Sequence, residues 1–169
     1  GAHVGAGEEA GLARVAEALR EILAETEGQR VLILIENTAG QGSSLGWHFD
    51  HLAALLEGTE RHPRVGFCLD TCHLHAAGYD LTSDASYARV LADFDAAVGL
   101  DRLRCLHLND ALKPLGSRVD RHTHIGDGTL GLEPFRRIMT DSRLVGVPKI
   151  LETPKTGDGV EEDRRNLTT

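Results

Sequence analysis

Four short apolar runs of strand length, each separated from the next by a helical pattern, constrain this chain more than anything else in it. Residues 8 to 26 place Leu12, Val15, Leu19, Ile22 and Leu23 on one stripe at helical spacing, with acids in the first turn. Gly28 ends that helix, and VLILIEN follows as a strand. A Gly- and Ser-rich turn, TAGQGSSLG, leads into a second helix from Leu45, which turns Phe49, Leu52, Leu55 and Leu56 inward before Gly58. VGFCLDTCH is the second strand. A third helix from about Ser83 to Val98 buries Tyr87, Val90, Leu91, Phe94 and Val98 before the third strand, LRCLHLND. A fourth helix, about Leu132 to Thr140, buries Phe135, Ile138 and Met139, and VPKILETP supplies the last strand. Such alternation predicts parallel strands joined by crossover helices, with apolar residues on both strand faces because helices cover them.

The polar residues fall at one level of this pattern. Glu36, Asp70, His107 and Glu152 each stand at the C-terminal end of a different strand, 34 to 45 residues apart. That rim is where parallel α/β folds build their sites, β/α barrels above all, and four units make about half of an eight-stranded barrel. Taken singly, each acid reads as a cap or loop residue. Four in register read instead as a set of ligands for a hard-to-borderline divalent cation. The loop from His107 to Gly128 adds Asp120 and His122, two apart, so that in an extended segment both side chains point the same way. His73, three residues past Asp70, can look into the same pocket where the strand ends and the chain turns. One Asp and two His suit zinc. Lys113, Arg118 and Arg121 in the same loop would complement a polyanion, although a solvated surface is their default reading. His48, His51 and His62 read as surface residues on or near a solvent-facing helix, and His75 and His124 as neighbours of the site.

A net charge of −8 argues against a protein that holds nucleic acid by overall basicity. It does not exclude one whose acids are taken up by divalent cations: carboxylates gathered in one pocket would repel one another without cations, so a clustered set predicts bound metal. With 41% hydrophobic and 26% charged residues, the composition is that of a globular domain, and no apolar run approaches a membrane span. Cys68, Cys72 and Cys105 make no disulfide framework and read as buried thiols, which suggests a reducing, cytoplasmic location. The opening Gly1-Ala2-His3 reads as the continuation of a longer chain.

At the level of motifs, ENTAGQGSSLG, CLDTCHLHAAGYDL, LHLND with LGSRVDRHTHIGDG, and ETP before KTGDGVEEDRRNL resemble the endonuclease IV family of apurinic/apyrimidinic endonucleases, over essentially all 169 residues. The resemblance implies a (β/α)8 TIM barrel, of which this chain would be the C-terminal half. It also implies three zinc ions and a monomeric enzyme that cuts double-stranded DNA on the 5′ side of abasic sites in base excision repair. Carried over by motif, Glu36 would bridge the first and second zincs. Asp70, His107 and Glu152 would complete the second, and His73, Asp120 and His122 would hold the third. A hydroxide between the first two ions would attack phosphorus while the third stabilises the departing oxygen. The two histidines of the family's first zinc would lie outside this chain, and His3 aligns with a non-ligand. The loops that open the minor groove would also be missing, so the half-barrel alone is expected to be unstable, to aggregate or to pair with another half.

Two other readings compete. Glu36, Asp70, His107 and Glu152 fit equally well a sugar isomerase or epimerase of the same barrel superfamily, holding one Mn²⁺. A half-barrel could also bind metal or DNA without turnover.

Overall fold

In the computed structural model, which describes residues 1–169, four parallel strands form one sheet. They are β1 (Ile33–Glu36), β2 (Val65–Asp70), β3 (Leu103–His107) and β6 (Lys149–Ile150), and they lie side by side in that order. A two-stranded antiparallel ribbon, β4 (Asp110–Ala111) with β5 (His122–Thr123), stands apart from them. The helices are α1 (Glu8–Glu25), α2 (Phe49–Gly58), α3 (Thr71–Ala77), α4 (Asp84–Val98), α5 (Glu133–Thr140) and α6 (Val160–Thr168).

Period-two alternation sorts the strand residues between two faces. Val65, Phe67 and Leu69 of β2 are buried and belong to the hydrophobic core with Phe49, Leu52 and Leu56 of α2 and Val90, Leu91 and Phe94 of α4. Cys68 and Asp70 face the other way. The β2–β3 register shifts between Phe67 and Cys68, and that irregularity sets Cys105 opposite Cys68 and His107 opposite Asp70. A shift of this kind re-aims side chains, and here it brings two strand-end ligand candidates level.

Phe67 is wholly buried, with its ring edge-on to Phe94 at 6.0 Å, and Phe94 is in turn edge-on to Phe49 at 5.5 Å. Truncating a member of such a stack removes transfer energy and leaves a cavity. Phe67→Ala is therefore expected to cost about 3–5 kcal/mol of folding stability, read from the urea midpoint with an unchanged m-value.

Several expectations need correction. α1 rests on Ala16, Leu19 and Leu23, with Ile22 46% exposed, because small Ala16 lies against Gly58 and rotates the buried face away from the predicted stripe. Met139 of α5 is exposed rather than core. The second helix starts at Phe49, and Leu45 is buried in the turn before it. The second strand stops at Asp70: its carboxylate accepts the His73 N–H at 2.8 Å, caps α3 and puts His73 on a helix. His51 is buried, where it accepts the Gly46 N–H on Nδ1 at 3.1 Å and faces Glu8. α6 and the β4–β5 ribbon have no counterpart in the sequence pattern.

Both margins of the sheet carry exposed apolar residues, Val31 and Leu32 beside β1 and Ile150 of β6. Beside β6 a groove of about 430 Å³ is lined by Leu132, Phe135, Met139, Ile150 and Leu167, and by none of the predicted site residues.

Candidate metal centre

At the C-terminal rim of the sheet, Glu36, Asp70, His107 and Glu152 offer ligand atoms that all lie within 4.8 Å of one another. His107 Nδ1 is 2.9 Å from Glu152 Oε2, 3.2 Å from Glu36 Oε1 and 3.9 Å from Asp70 Oδ2. Asp70, His73 and His122 form a second such group. Asp120 joins that side: His73 Nε2 is 3.2 Å from its Oδ2, and His122 Nε2 is 3.2 Å from its Oδ1. The structure thus brings together all seven predicted ligands, and Asp70 stands between the two sets.

Both imidazoles of the second set are held by their other nitrogen. His73 Nδ1 is 2.9 Å from the Asn37 carbonyl and His122 Nδ1 is 3.2 Å from the Glu152 carbonyl, contacts that only an N–H can make. Each Nε2 is thereby turned toward Asp120, as ring nitrogens are in metal sites where a second contact fixes the tautomer. His122 Nε2 is buried and has no hydrogen-bond partner. An orphaned donor atom beside two carboxylates fits a cation, and the donor sets fit zinc at the His-rich group and zinc or manganese at the carboxylate-rich one.

Electrostatics point the same way. Burial raises the Asp70 carboxyl above its ordinary range against the pull of His73 and His122. Burial works against a charged His73 too, but its hydrogen bond to Glu36 and the charges of Asp70, Asp120 and Glu36 prevail and lift it from 6.5 to about 9. Glu36 is likewise opposed by burial, and its bond to His73 and the charge of His107 leave it lowered. Thiol ligands are less suited: Cys72 is pushed up to about 12 by burial and by Asp70. All three cysteines are buried and unpaired.

A cation must displace the His73 Nε2 proton. Between about pH 6.5 and 9, cation affinity at this group is expected to rise by up to about tenfold per pH unit, with one proton released. The sign for stability is opposite. A histidine raised on folding stabilises the metal-free fold fully below 6.5 and loses that contribution as pH climbs through about 9. Calorimetric titration in buffers of different ionisation enthalpy, with thermal melts of the metal-free chain, checks both.

The family described as "Xylose isomerase-like TIM barrel" matches residues 1–169. This chain belongs to the xylose isomerase-like TIM barrel family. Among curated members similar to it are proteins named "Probable endonuclease 4" from Chloroflexus aurantiacus, 54% identical over 167 residues, and from Geobacter sulfurreducens, 57% identical over 169. The match covers 99% of the chain and 58% of the first, and 100% and 57% of the second, so the chain spans under two thirds of their length. The crystal structure of endonuclease IV from Thermus thermophilus superposes with a TM-score of 0.80 at 42% identity, over 93% of this chain and 55% of that one.

This TIM-barrel member also holds groups that sequence reasoning missed. Asn109 is fully buried: its Nδ2 donates to Asp70 Oδ2 at 2.6 Å and its Oδ1 accepts the Glu152 N–H at 2.8 Å, tying two ligand candidates together. Asn37 Oδ1 accepts the Asp70 N–H at 2.7 Å, and the Gln41 side chain accepts the Asp120 N–H at 3.0 Å. No pattern announces such amides, since their value lies in tertiary placement, but both asparagines directly follow or nearly follow a strand-end ligand. His75, on α3, lies 3.0 Å from the Thr129 hydroxyl and His124 lies 3.2 Å from Asn166 Nδ2, so neither joins the ligand groups. Lys113, Arg118 and Arg121 are exposed and paired to no carboxylate, and the Arg118 guanidinium lies 3.9 Å over the Trp47 ring.

Proposed function

We propose that the chain carries the greater part of a zinc-dependent active site that hydrolyses DNA 5′ to abasic sites, the activity of a repair endonuclease. Glu36, Asp70, His107 and Glu152 would hold cations on one side of the rim, and His73, Asp120 and His122, with Asp70 shared between the sides, would hold another on the other. Divalent ions so placed supply a water activated at neutral pH and positive charge for the phosphate and the leaving oxygen. The chain's own residues do the rest. Asn109 keeps Asp70 and the Glu152 backbone at fixed separation, Asn37 and the Glu152 carbonyl aim the two imidazoles, and Lys113, Arg118 and Arg121 attract the phosphate backbone.

The observation that carries this reading is the pair of Nε2 atoms, on His73 and His122, each 3.2 Å from Asp120. A single-cation isomerase has no use for that second group. The names of the relatives, with identities of 54% and 57%, and the unpaired cations of the loop support the same choice.

The test is a nicking assay on a duplex oligonucleotide containing one abasic site. Nicking abolished by chelator and restored by Zn²⁺ supports the proposal. About two zincs bound by the isolated chain without nicking would favour a metal-binding half-barrel. Ketose interconversion with Mn²⁺ would favour the isomerase.

A further inference from the structure

Asp110 belongs to neither ligand group, yet its side chain is wholly buried. Its carboxylate accepts four backbone N–H groups: Ala111 at 2.7 Å and Leu130 at 3.0 Å on Oδ1, Gly126 at 3.0 Å and Gly128 at 3.1 Å on Oδ2. No Lys, Arg or His side chain pairs with it, so these amides are its compensation for leaving water. Three of the four come from the far end of the long loop. Gly128 must be glycine for this, because a Cβ there would collide with the Asp110 carboxylate and the Ala111 carbonyl.

Between those two ends runs the segment that bears Asp120 and His122. The ribbon at its base is only two residues per strand, with Asp110 opposite Thr123 and Ala111 opposite His122. Two residue pairs are a short ribbon for a loop of this length. The tip is tied by the Gly116 and Arg118 N–H groups on the His75 and Ala76 carbonyls and by the Asp120 N–H on Gln41. The return at Gly126–Leu130 is held instead by the Thr129 bonds to Ala111 and Lys113 and by the three amides on Asp110. We infer that Asp110 is a positioning residue: by gathering the amides of Gly126, Gly128 and Leu130 it closes the base of the loop and keeps Asp120 and His122 within reach of His73. The inference deepens the proposed function and rests on its claim that these three residues hold a cation. An amide in this position has one oxygen and one NH₂, so Asp110→Asn forfeits the acceptor for two N–H groups and sets donor against donor.

The experiment is a titration of this chain, within a polypeptide of the relatives' full length, with Zn²⁺, followed by calorimetry and by the imidazole NMR signals of His73 and His122 on one side and His107 on the other. In Asp110→Asn the affinity read at His73 and His122 is expected to fall about 10- to 100-fold, the loss usual for a supporting contact, while the response at His107 stays that of the parent. Gly128→Ala, which drives a methyl group into the same carboxylate, is expected to reproduce that selective loss. Equal weakening of both groups, no weakening of either, or global unfolding of both variants in circular dichroism overturns the positioning role. Hydrogen exchange on the unsubstituted, metal-free chain judges it separately. Protected amides at Gly126, Gly128 and Leu130 support it, and fast exchange there overturns it. If the unsubstituted chain takes up no Zn²⁺ at all, the proposed function fails, and the exchange data alone decide on Asp110.

Discussion

Asp70→Ala is expected to remove cation binding from both sides of the rim at once, the largest effect of any single substitution in the chain. Asp70 is the one residue whose carboxylate lies within ligand distance of both groups, Glu36, His107 and Glu152 on one side and His73 and His122 on the other. Supporting contacts alone are typically worth 10–100-fold in metal affinity, so losing a direct charged ligand at each group is expected to cost at least about 100-fold at both. The fold should survive. The capping bond to the His73 N–H and the bond from Asn109 are lost, a cost of about 0.5–2 kcal/mol for the cap, but a buried carboxyl that its surroundings disfavour is also removed. Equilibrium dialysis with Zn²⁺, beside a urea melt, reads both quantities. Parent-like affinity at either group in a folded variant would falsify the shared-ligand geometry.

The rim itself is legible in the sequence because its logic is periodic. Apolar runs of strand length alternate with helical stripes, and an acid or histidine closes each run, which sets Glu36, Asp70, His107 and Glu152 at one level before any distance is known. His73 is harder. VGFCLDTCH looks like one continuous strand, and only the capping role of Asp70, with Gly78 closing the other end, reveals the break that puts His73 on α3. Asp followed by a short apolar stretch and then Gly is a helix signal, here outweighed by the apolar run before it. Ile22 and Met139 mislead for a different reason. A stripe at helical spacing says which face is apolar, not how far its neighbour extends, and α1 makes its close approach through Ala16 and Gly58 instead. The amides of Asn37 and Asn109 and the carboxylate of Asp110 leave no pattern, because each is defined by groups distant in sequence that tertiary structure delivers to it.

Asp120→Ala separates the two catalytic readings that share the carboxylate-rich group. It removes the one carboxylate that both Nε2 atoms face, at 3.2 Å each, and touches none of Glu36, Asp70, His107 and Glu152. In a polypeptide of the relatives' full length, abasic-site nicking is therefore expected to fall by at least about 100-fold in kcat, because the charge that offsets the leaving oxygen is lost in the transition state. Duplex affinity should change little, since Lys113, Arg118 and Arg121 remain, and the salt dependence of binding should keep its slope. Glu36→Gln is the matched control: it weakens the carboxylate-rich group and is expected to cost nicking as heavily, yet leaves the His73 and His122 signals responsive to Zn²⁺. If Asp120→Ala nicks at the parent rate while Glu36→Gln does not, the His-rich group is idle in the chemistry. The rim is then a one-cation site, and the claim to phosphodiester hydrolysis loses the geometry it was built on.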